Sequence, residues 1–107
     1  MSTPVYIPQP NLANRPVGYK DAQGNLIPNS FSDMAFQGDY GMSGTNLIYK
    51  GFARPGALTS NDVWQISKMT YDGSNNLLTV KWPQNASGNA SNDFAFEWDD
   101  RASFTYS

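Results

Sequence analysis

The alternation of large apolar and polar residues in the second half of the chain predicts short β-strands. In residues 77–82 and 94–98 every second side chain is large and apolar, and the same spacing returns at 104–106. A period of two residues is typical of a strand with one buried face. Together with residues 47–53 and 61–71, these segments predict a core composed of Tyr49, Trp64, Ile66, Leu78, Val80, Trp82, Phe94, Phe96, Trp98, Phe104 and Tyr106.

Residues 61–82 carry the clearest hairpin signal. In a regular strand, Trp64 and Ile66 would point to one face and Met69 and Tyr71 to the other. This change of the apolar side predicts a bulge or twist near Lys68. Turn-forming residues fill positions 72–76, between two apolar segments. We therefore expect a mainly β fold of about five short antiparallel strands in a meander, sandwich or barrel-like, without a helix longer than two turns.

The first part of the chain has a different pattern. Residues 1–44 hold five of the seven prolines, whereas residues 45–107 hold ten of the fifteen aromatic residues. Frequent proline favours an extended backbone over residues 1–16. Residues 21–25, ending in Gly24-Asn25, can close a small hairpin, and residues 29–44 show no sustained period. The prediction is an extended docking arm with a hairpin over residues 1–44 and a compact β module over residues 45–107.

The arm has too few apolar residues to bury itself and is expected to lie along other subunits. A module of about 60 residues is also near the lower limit for a self-sufficient core. These two arguments predict a homo-oligomer within a larger assembly. The predicted docking residues are Pro4, Tyr6, Ile7, Pro8, Tyr19, Phe31, Phe36 and Tyr40.

Composition narrows the function classes. The 107 residues include neither cysteine nor histidine, so disulfides, thiolate metal sites and the commonest general base are absent. A net charge of −2, with charges scattered singly, argues against nucleic-acid binding. No apolar run approaches the length of a membrane span, and synthesis as a soluble cytoplasmic product is expected. We predict no cofactor and no metal.

Two groups of acidic residues allow both a functional and a simpler structural interpretation. Glu97 and Asp99 lie two residues apart, and paired carboxylates are what glycoside hydrolysis needs, but a solvated strand face that runs into a turn explains them more simply. Asp99 and Asp100 could bind a cation with Asp93, but a turn with Arg101 folded onto a carboxylate or an aromatic ring is favoured. No catalytic residue is predicted.

The tryptophans allow a second binding hypothesis. Trp64, Trp82 and Trp98 could form an exposed platform for sugar rings, as in carbohydrate-binding modules. All three lie in register with other apolar strand residues, so a place in the core is favoured for each. An exposed indole would revive the sugar-binding interpretation.

Three segments carry a resemblance to a known family. They are Tyr49–Gly56 (YKGFARPG), residues 59–66 (TSNDVWQI) and Trp98–Ser107 (WDDRASFTYS). The shared pattern, Y-x-G-x-A-x-x-G, then T-S-x-x-x-W-x-I, then W-D-x-R-x-S-x-x-Y-S, resembles small proteins encoded among the virion structural genes of tailed bacteriophages, without an assigned activity. The resemblance covers residues 45–107 and implies a virion component made in the bacterial host.

Three function classes follow from the sequence. The first is a non-enzymatic structural subunit of a phage particle, in the tail, neck or fibre attachment, or as a capsid decoration protein. The second is a carbohydrate or receptor-binding module on the virion surface. The third, a small hydrolase, is disfavoured by the absence of histidine and cysteine.

Overall fold

An antiparallel sheet dominates the part of the chain that the computed structural model describes, which is residues 20–28, 30–42 and 44–107. The mainly β, antiparallel class predicted from the sequence is confirmed. The predicted arm, residues 1–16, lies outside the described residues, as do the docking residues Pro4, Tyr6, Ile7, Pro8 and Tyr19. The strands are β1 (Ala35–Asp39), β2 (Tyr49–Ala53), β3 (Asp62–Tyr71), β4 (Leu77–Lys81) and β5 (Phe96–Glu97), and two 3₁₀ helices span Phe31–Asp33 and Trp98–Ser103.

The long strand β3 organises the sheet. One of its edges pairs with β2, and β1 pairs with the outer edge of β2. The other edge of β3 is shared: β5 pairs near Trp64 and β4 pairs from Lys68 onward. The turn at residues 72–76 joins β3 to β4 as predicted, with the Asp72 carboxylate accepting two backbone N–H groups and Asn75 at a φ of 67°. Strands β1 to β4 are neighbours in sequence order, as in the predicted meander, but β5 departs from it because it pairs with β3 and not with β4.

The core lies on one face of this sheet, which we call the core face. Trp64, Ile66 and Trp98 are buried there, and the rings of the two tryptophans lie 6.3 Å apart. Gly51 of β2 is opposite Ile66, and a Cβ at this position would lie 2.7 Å from Cε3 of Trp98. The absence of a side chain at Gly51 therefore allows the indole of Trp98 to lie directly on the strand.

A rim of half-buried aromatic residues surrounds this core. Tyr49, Phe96, Phe104 and Tyr106 pack against it, and the ring centroids of Phe96 and Phe104 are 5.4 Å apart. The C-terminal segment is held by backbone hydrogen bonds in both directions between Ser107 and residue 82, of 3.0 and 2.9 Å. The last residues of the chain thus close one side of the core.

Two predicted core residues are not in the core. Leu78 and Val80 are 62% and 43% exposed. They share one face of β4 as predicted, but that face is opposite the core face, so the indole of Trp98 never covers them. Trp82 and Phe94, also predicted as core, are half-buried. The alternation of apolar and polar residues predicted strand β4 correctly, but the prediction that its apolar face is buried was wrong.

The boundaries of several strands differ from those predicted. Residues 29–44, expected to be irregular, contain β1 as well as a single 3₁₀ turn, so the sheet begins before residue 45. The strand predicted around residues 94–98 is reduced to Phe96–Glu97, because Trp98 starts a 3₁₀ helix. The predicted strand at 104–106 is a single bridge between Tyr106 and Pro83. The irregularity expected near Lys68 falls at residues 70 and 71, where the register with β4 shifts.

We expect Gly51→Ala to lower the free energy of unfolding by about 1–3 kcal/mol, because the added methyl group meets the ring of Trp98 and overpacks the core. Denaturant unfolding measures this directly. Gly73→Ala is the matched control, since a Cβ at Gly73 meets nothing within 4 Å. Equal stability of the two variants would contradict the close approach of Trp98 to β2.

Candidate functional site

The face of the sheet opposite Trp98 carries large apolar side chains that the described residues leave accessible. The register places Phe36 opposite Phe52 and Val80 opposite Met69, and Phe36 is 48% exposed. We call this side the outer face. Its residues are Phe36, Lys50, Phe52, Gln65, Ser67, Met69, Leu78, Val80 and Trp82, of which Ser67 and Met69 are buried.

Phe31 lies on top of the outer face. Its ring centroid is 4.5 Å from that of Phe52, which also contacts Phe36 at 5.4 Å. The first 3₁₀ helix presents Phe31, and the hydroxyl of Ser30 accepts the backbone N–H of Ser32 at its start. Phe31 remains 58% exposed, so this aromatic cluster is open to solvent rather than enclosed.

Two shallow clefts flank Phe31. The first is about 320 Å³ and the second about 380 Å³. They share Phe31, Gln65 and Asn92, and the Gln65 side-chain amide donates to the Asn92 carbonyl at 2.9 Å. The first cleft is also lined by Lys20, Ile27, Pro28, Met34, Asp93 and Phe94, and the second by Lys50, Phe52, Ser67 and Trp82. The second cleft therefore has aromatic walls with amide, hydroxyl and ammonium groups among them.

A buried carboxylate fixes the rim of the first cleft. One oxygen of Asp21 accepts the backbone N–H groups of Gln23 and Asn25 at 3.0 and 2.9 Å, closing the small loop predicted at residues 21–25. Its other oxygen lies 3.4 Å from Nε of Arg54. These two atoms are buried and make no hydrogen bond within the described part of the chain, so their attraction is electrostatic. The loop is docked on the module, and the described chain enters at the cleft rim through Lys20.

The core face carries a cluster of cations and aromatic rings that is a rival candidate site. Nζ of Lys68 lies 5.8 Å from the ring centroid of Tyr49 and 5.7 Å from that of Tyr106. The Arg101 guanidinium lies 4.6 Å from the Trp98 ring, and its Nε lies 2.9 Å from the Asp39 carboxylate. The predicted folding back of Arg101 onto a carboxylate and a ring is confirmed. Its partner is Asp39 rather than a neighbouring aspartate.

These contacts make the cluster a structural one. The hydroxyl of Tyr106 donates to the carbonyl of Arg101 at 2.7 Å, and burial, with a smaller contribution from Tyr49, raises the pKa of the Tyr106 phenol. The tyrosine therefore stays neutral and holds the C-terminal 3₁₀ helix in place. Arg101 is bonded to Asp39 and to the Trp98 carbonyl, and Lys68 lies near two tyrosine rings, so these charged groups already have partners within the fold itself.

The acidic residues do not assemble into a site. Glu97 is half-buried on β5, whereas Asp99 is exposed in the 3₁₀ helix that follows, so the two carboxylates do not project from one strand. Within residues 20–28, 30–42 and 44–107, no three histidine, cysteine, aspartate or glutamate residues are grouped to hold a metal ion. No helix in this part of the chain is long and apolar enough to cross a membrane.

The predicted docking residues that the structure describes are exposed, whereas two of the three tryptophans predicted as a possible sugar platform are buried. Phe31, Phe36 and Tyr40 are accessible, although the first two contact Phe52, and docking through them stays a prediction. Trp64 and Trp98 are 1% and 5% exposed, which leaves Trp82 as the tryptophan at a cleft.

Sequence reasoning missed the contribution of β4 to the outer face. The available signal was Leu77, which puts a large apolar side chain on the opposite side of the strand from Leu78. Adjacent leucines on opposite faces of one strand cannot both point into a core on one side of the sheet, and here Leu77 and Leu78 are 54% and 62% exposed.

Comparison of the chain with protein-family models, with curated proteins and with solved structures gave no match.

We expect Arg101→Gln to raise the pKa of Asp39 towards the usual aspartate value of about 3.9. The pKa is lowered first by the backbone N–H of Gly41 and next by the Arg101 side chain, so it should remain below that value in the variant. Because the folded-state pKa is depressed, the stabilisation is present above about pH 4 and is lost as the pH falls through the lowered pKa.

An NMR titration of the carboxyl groups measures this shift. Asp72 is the internal control, because its pKa is lowered by backbone N–H groups of Asn76 and Ser74 and does not depend on Arg101. An unchanged Asp39 pKa would contradict the ion pair.

Proposed function

We propose that the protein is a non-enzymatic structural subunit of a tailed-bacteriophage virion that docks on its neighbours through the outer face and the N-terminal arm. The observation that carries this proposal is the exposure of Phe36, Leu78 and Val80 on one side of the sheet. Phe36 lies on edge strand β1, and Leu78 and Val80 lie on β4 at the other end of the sheet. Large apolar side chains that a folded domain leaves accessible often mark interaction surfaces. A tail, neck or fibre-attachment position is favoured, with capsid decoration as the alternative.

The residues that carry the resemblance to phage virion proteins lie in or beside the core of the fold, not among the exposed residues of the outer face. Gly51, Trp64 and Trp98 meet in the core, and Arg101 pairs with Asp39. By contrast, the exposed residues Phe36, Leu78 and Val80 lie outside the shared pattern. This division fits a common structural module whose docking side differs from one virion position to another.

A carbohydrate-binding function has weaker support. A sugar platform needs accessible aromatic rings, and two of the three tryptophans, Trp64 and Trp98, are buried in the core. Trp82 alone lines a cleft, and the Gln65 amide beside it already donates to the Asn92 carbonyl. The size and spread of the apolar side chains favour contact with protein instead.

We expect Leu78→Ser to reduce the copy number of the protein in purified particles, because the substitution places a hydroxyl on the docking side. Leu77→Ser is the matched control: it changes the neighbouring leucine, of similar exposure, on the opposite side of β4. Quantitative mass spectrometry of purified particles measures copies per virion. Equal incorporation of both variants would contradict docking through the outer face.

Deletion of residues 1–16 should leave the β module folded while abolishing incorporation into particles. The described residues already supply the sheet and its buried core without this segment. Far-ultraviolet circular dichroism checks the fold, and the same mass spectrometry checks incorporation. Wild-type incorporation of the truncated chain would rule out the arm as a docking element.

A further inference from the structure

We infer that the outer face docks on a segment of another virion protein that places a carboxylate against the ammonium of Lys50, with large apolar side chains on either side of that carboxylate. This inference rests on the proposed structural function and names the chemistry of the partner. It follows from a charged side chain of the outer face to which the chain itself supplies no counter-ion.

Lys50 lies between the accessible apolar residues of the outer face. In the sheet order β1-β2-β3-β4, Phe36 lies on β1, Lys50 on β2 and Val80 on β4. Along the strands, the Lys50–Ser67 pair lies between the pair that contains Phe36 and the pair that contains Val80. Neighbouring strands are about 4.8 Å apart, so β1 and β4 are about 14 Å apart. A partner that contacts both Phe36 and Val80 therefore passes over Lys50.

The chain has no carboxylate side chain in contact with Lys50. The nine acidic residues of the sequence all belong to the part of the chain that the structure describes. The ion pairs among these described residues are made by Arg54 and Arg101, and the Lys50 ammonium has no ion pair, hydrogen bond or ring contact there. The positions outside the described residues contain neither aspartate nor glutamate, so their conformation does not change this conclusion.

The surroundings of Lys50 make the missing counter-ion important once water is removed. Its cross-strand neighbours are Gly38, which has no side chain, and the buried Ser67. The rings of Phe52 and Trp82 line the same cleft, so the half-buried lysine packs its aliphatic stem among apolar groups. A partner that covers this site displaces the water around the ammonium, and a carboxylate compensates for that loss better than a neutral acceptor.

The charge of the outer face favours a different protein over a second copy. Lys50 is the charged residue of this face, and none of the outer-face residues is acidic. Two copies that met symmetrically through their outer faces would each bring a lysine and no carboxylate to the contact. An acidic residue between large apolar residues on another protein complements both the lysine and the side chains that flank it.

Zero-length cross-linking of purified particles tests the inference. A water-soluble carbodiimide activates the partner carboxylate, and the Lys50 amine displaces it to form an amide, while the reagent leaves as a urea that carries the carboxylate oxygen. Mass spectrometry identifies the linked peptides. Lys81, which is exposed on the opposite side of the sheet, is the internal control.

We expect Lys50 to be linked to an aspartate or glutamate of another virion protein at several times the yield found for Lys81. Equal yields at the two lysines, or no link at Lys50, would overturn the inference. A link from Lys50 to an acidic residue of this chain's own sequence would overturn the assignment to a different protein.

Charge substitutions provide a second measurement. Lys50→Glu should lower the number of copies per particle several-fold, because it places two carboxylates against each other, whereas Lys50→Arg keeps the charge and should be incorporated almost as well as the wild type. Lys81→Glu makes the same change of charge on the opposite side of the sheet and is the matched control. Circular dichroism confirms that each variant is folded, and incorporation of Lys50→Glu equal to that of Lys81→Glu would contradict the inference.

Failure of this inference is distinguishable from failure of the proposed function. If Leu78→Ser loses incorporation but Lys50→Glu does not, the outer face docks through apolar contacts alone and the carboxylate on Lys50 is wrong. If neither variant loses incorporation, docking through the outer face is wrong as well.

Discussion

The close packing of the Trp98 indole on Gly51 is the constraint on which the rest of the fold depends. Trp98 is the first residue of the C-terminal 3₁₀ helix, and its ring reaches β2 only because Gly51 has no side chain. Trp64 completes the contact from β3, with its indole N–H donating to the Leu58 carbonyl at 2.9 Å. The contact between Gly51 and Trp98 thereby holds β2 and the C-terminal 3₁₀ helix together in a small module that has no cysteine.

This packing places the tryptophan core on one face of the sheet, whereas the outer face buries Ser67 and Met69 but leaves Phe36, Leu78 and Val80 accessible. The C-terminal residues cover the core face from Trp98 to the bridge between Tyr106 and Pro83. On the other side, the first 3₁₀ helix and the Asp21 loop cover only part of the sheet, and β4 remains open on both of its faces. Most aromatic side chains of this small domain pack into one core. The remaining apolar residues stay accessible and are available for contacts with other molecules.

The sequence predicts the elements of this fold better than their environments. The turn at residues 72–76 and the strands β2, β3 and β4 follow from local signals, because turn formers and period-two alternation act over a few residues. The side of the sheet that is buried depends on Trp98, whose position is set by contacts distant in sequence. Leu78 and Val80 show this limit: their alternation is clear, but nothing near them reveals where the covering layer lies.

Other features were hidden for related reasons. Strand β1 is an edge strand with Gly38 in its short span, so its alternation is too weak to distinguish from a loop. The two clefts arise from residues far apart in the chain, such as Phe31 and Trp82. The pairing of Asp21 with Arg54 likewise joins a loop to the end of β2. Long-range contacts of this kind leave no local pattern.

Hydroxyl-radical footprinting of the protein, alone in dilute solution and within purified particles, tests the central claim that the two faces have different roles. The account predicts that Leu78 and Val80 are modified in the free protein and protected in the particle, whereas Leu77 is modified in both and Ile66 in neither. Protection of Leu78 and Val80 in the free protein, or their continued modification in the particle, would contradict docking through the accessible apolar residues of the outer face.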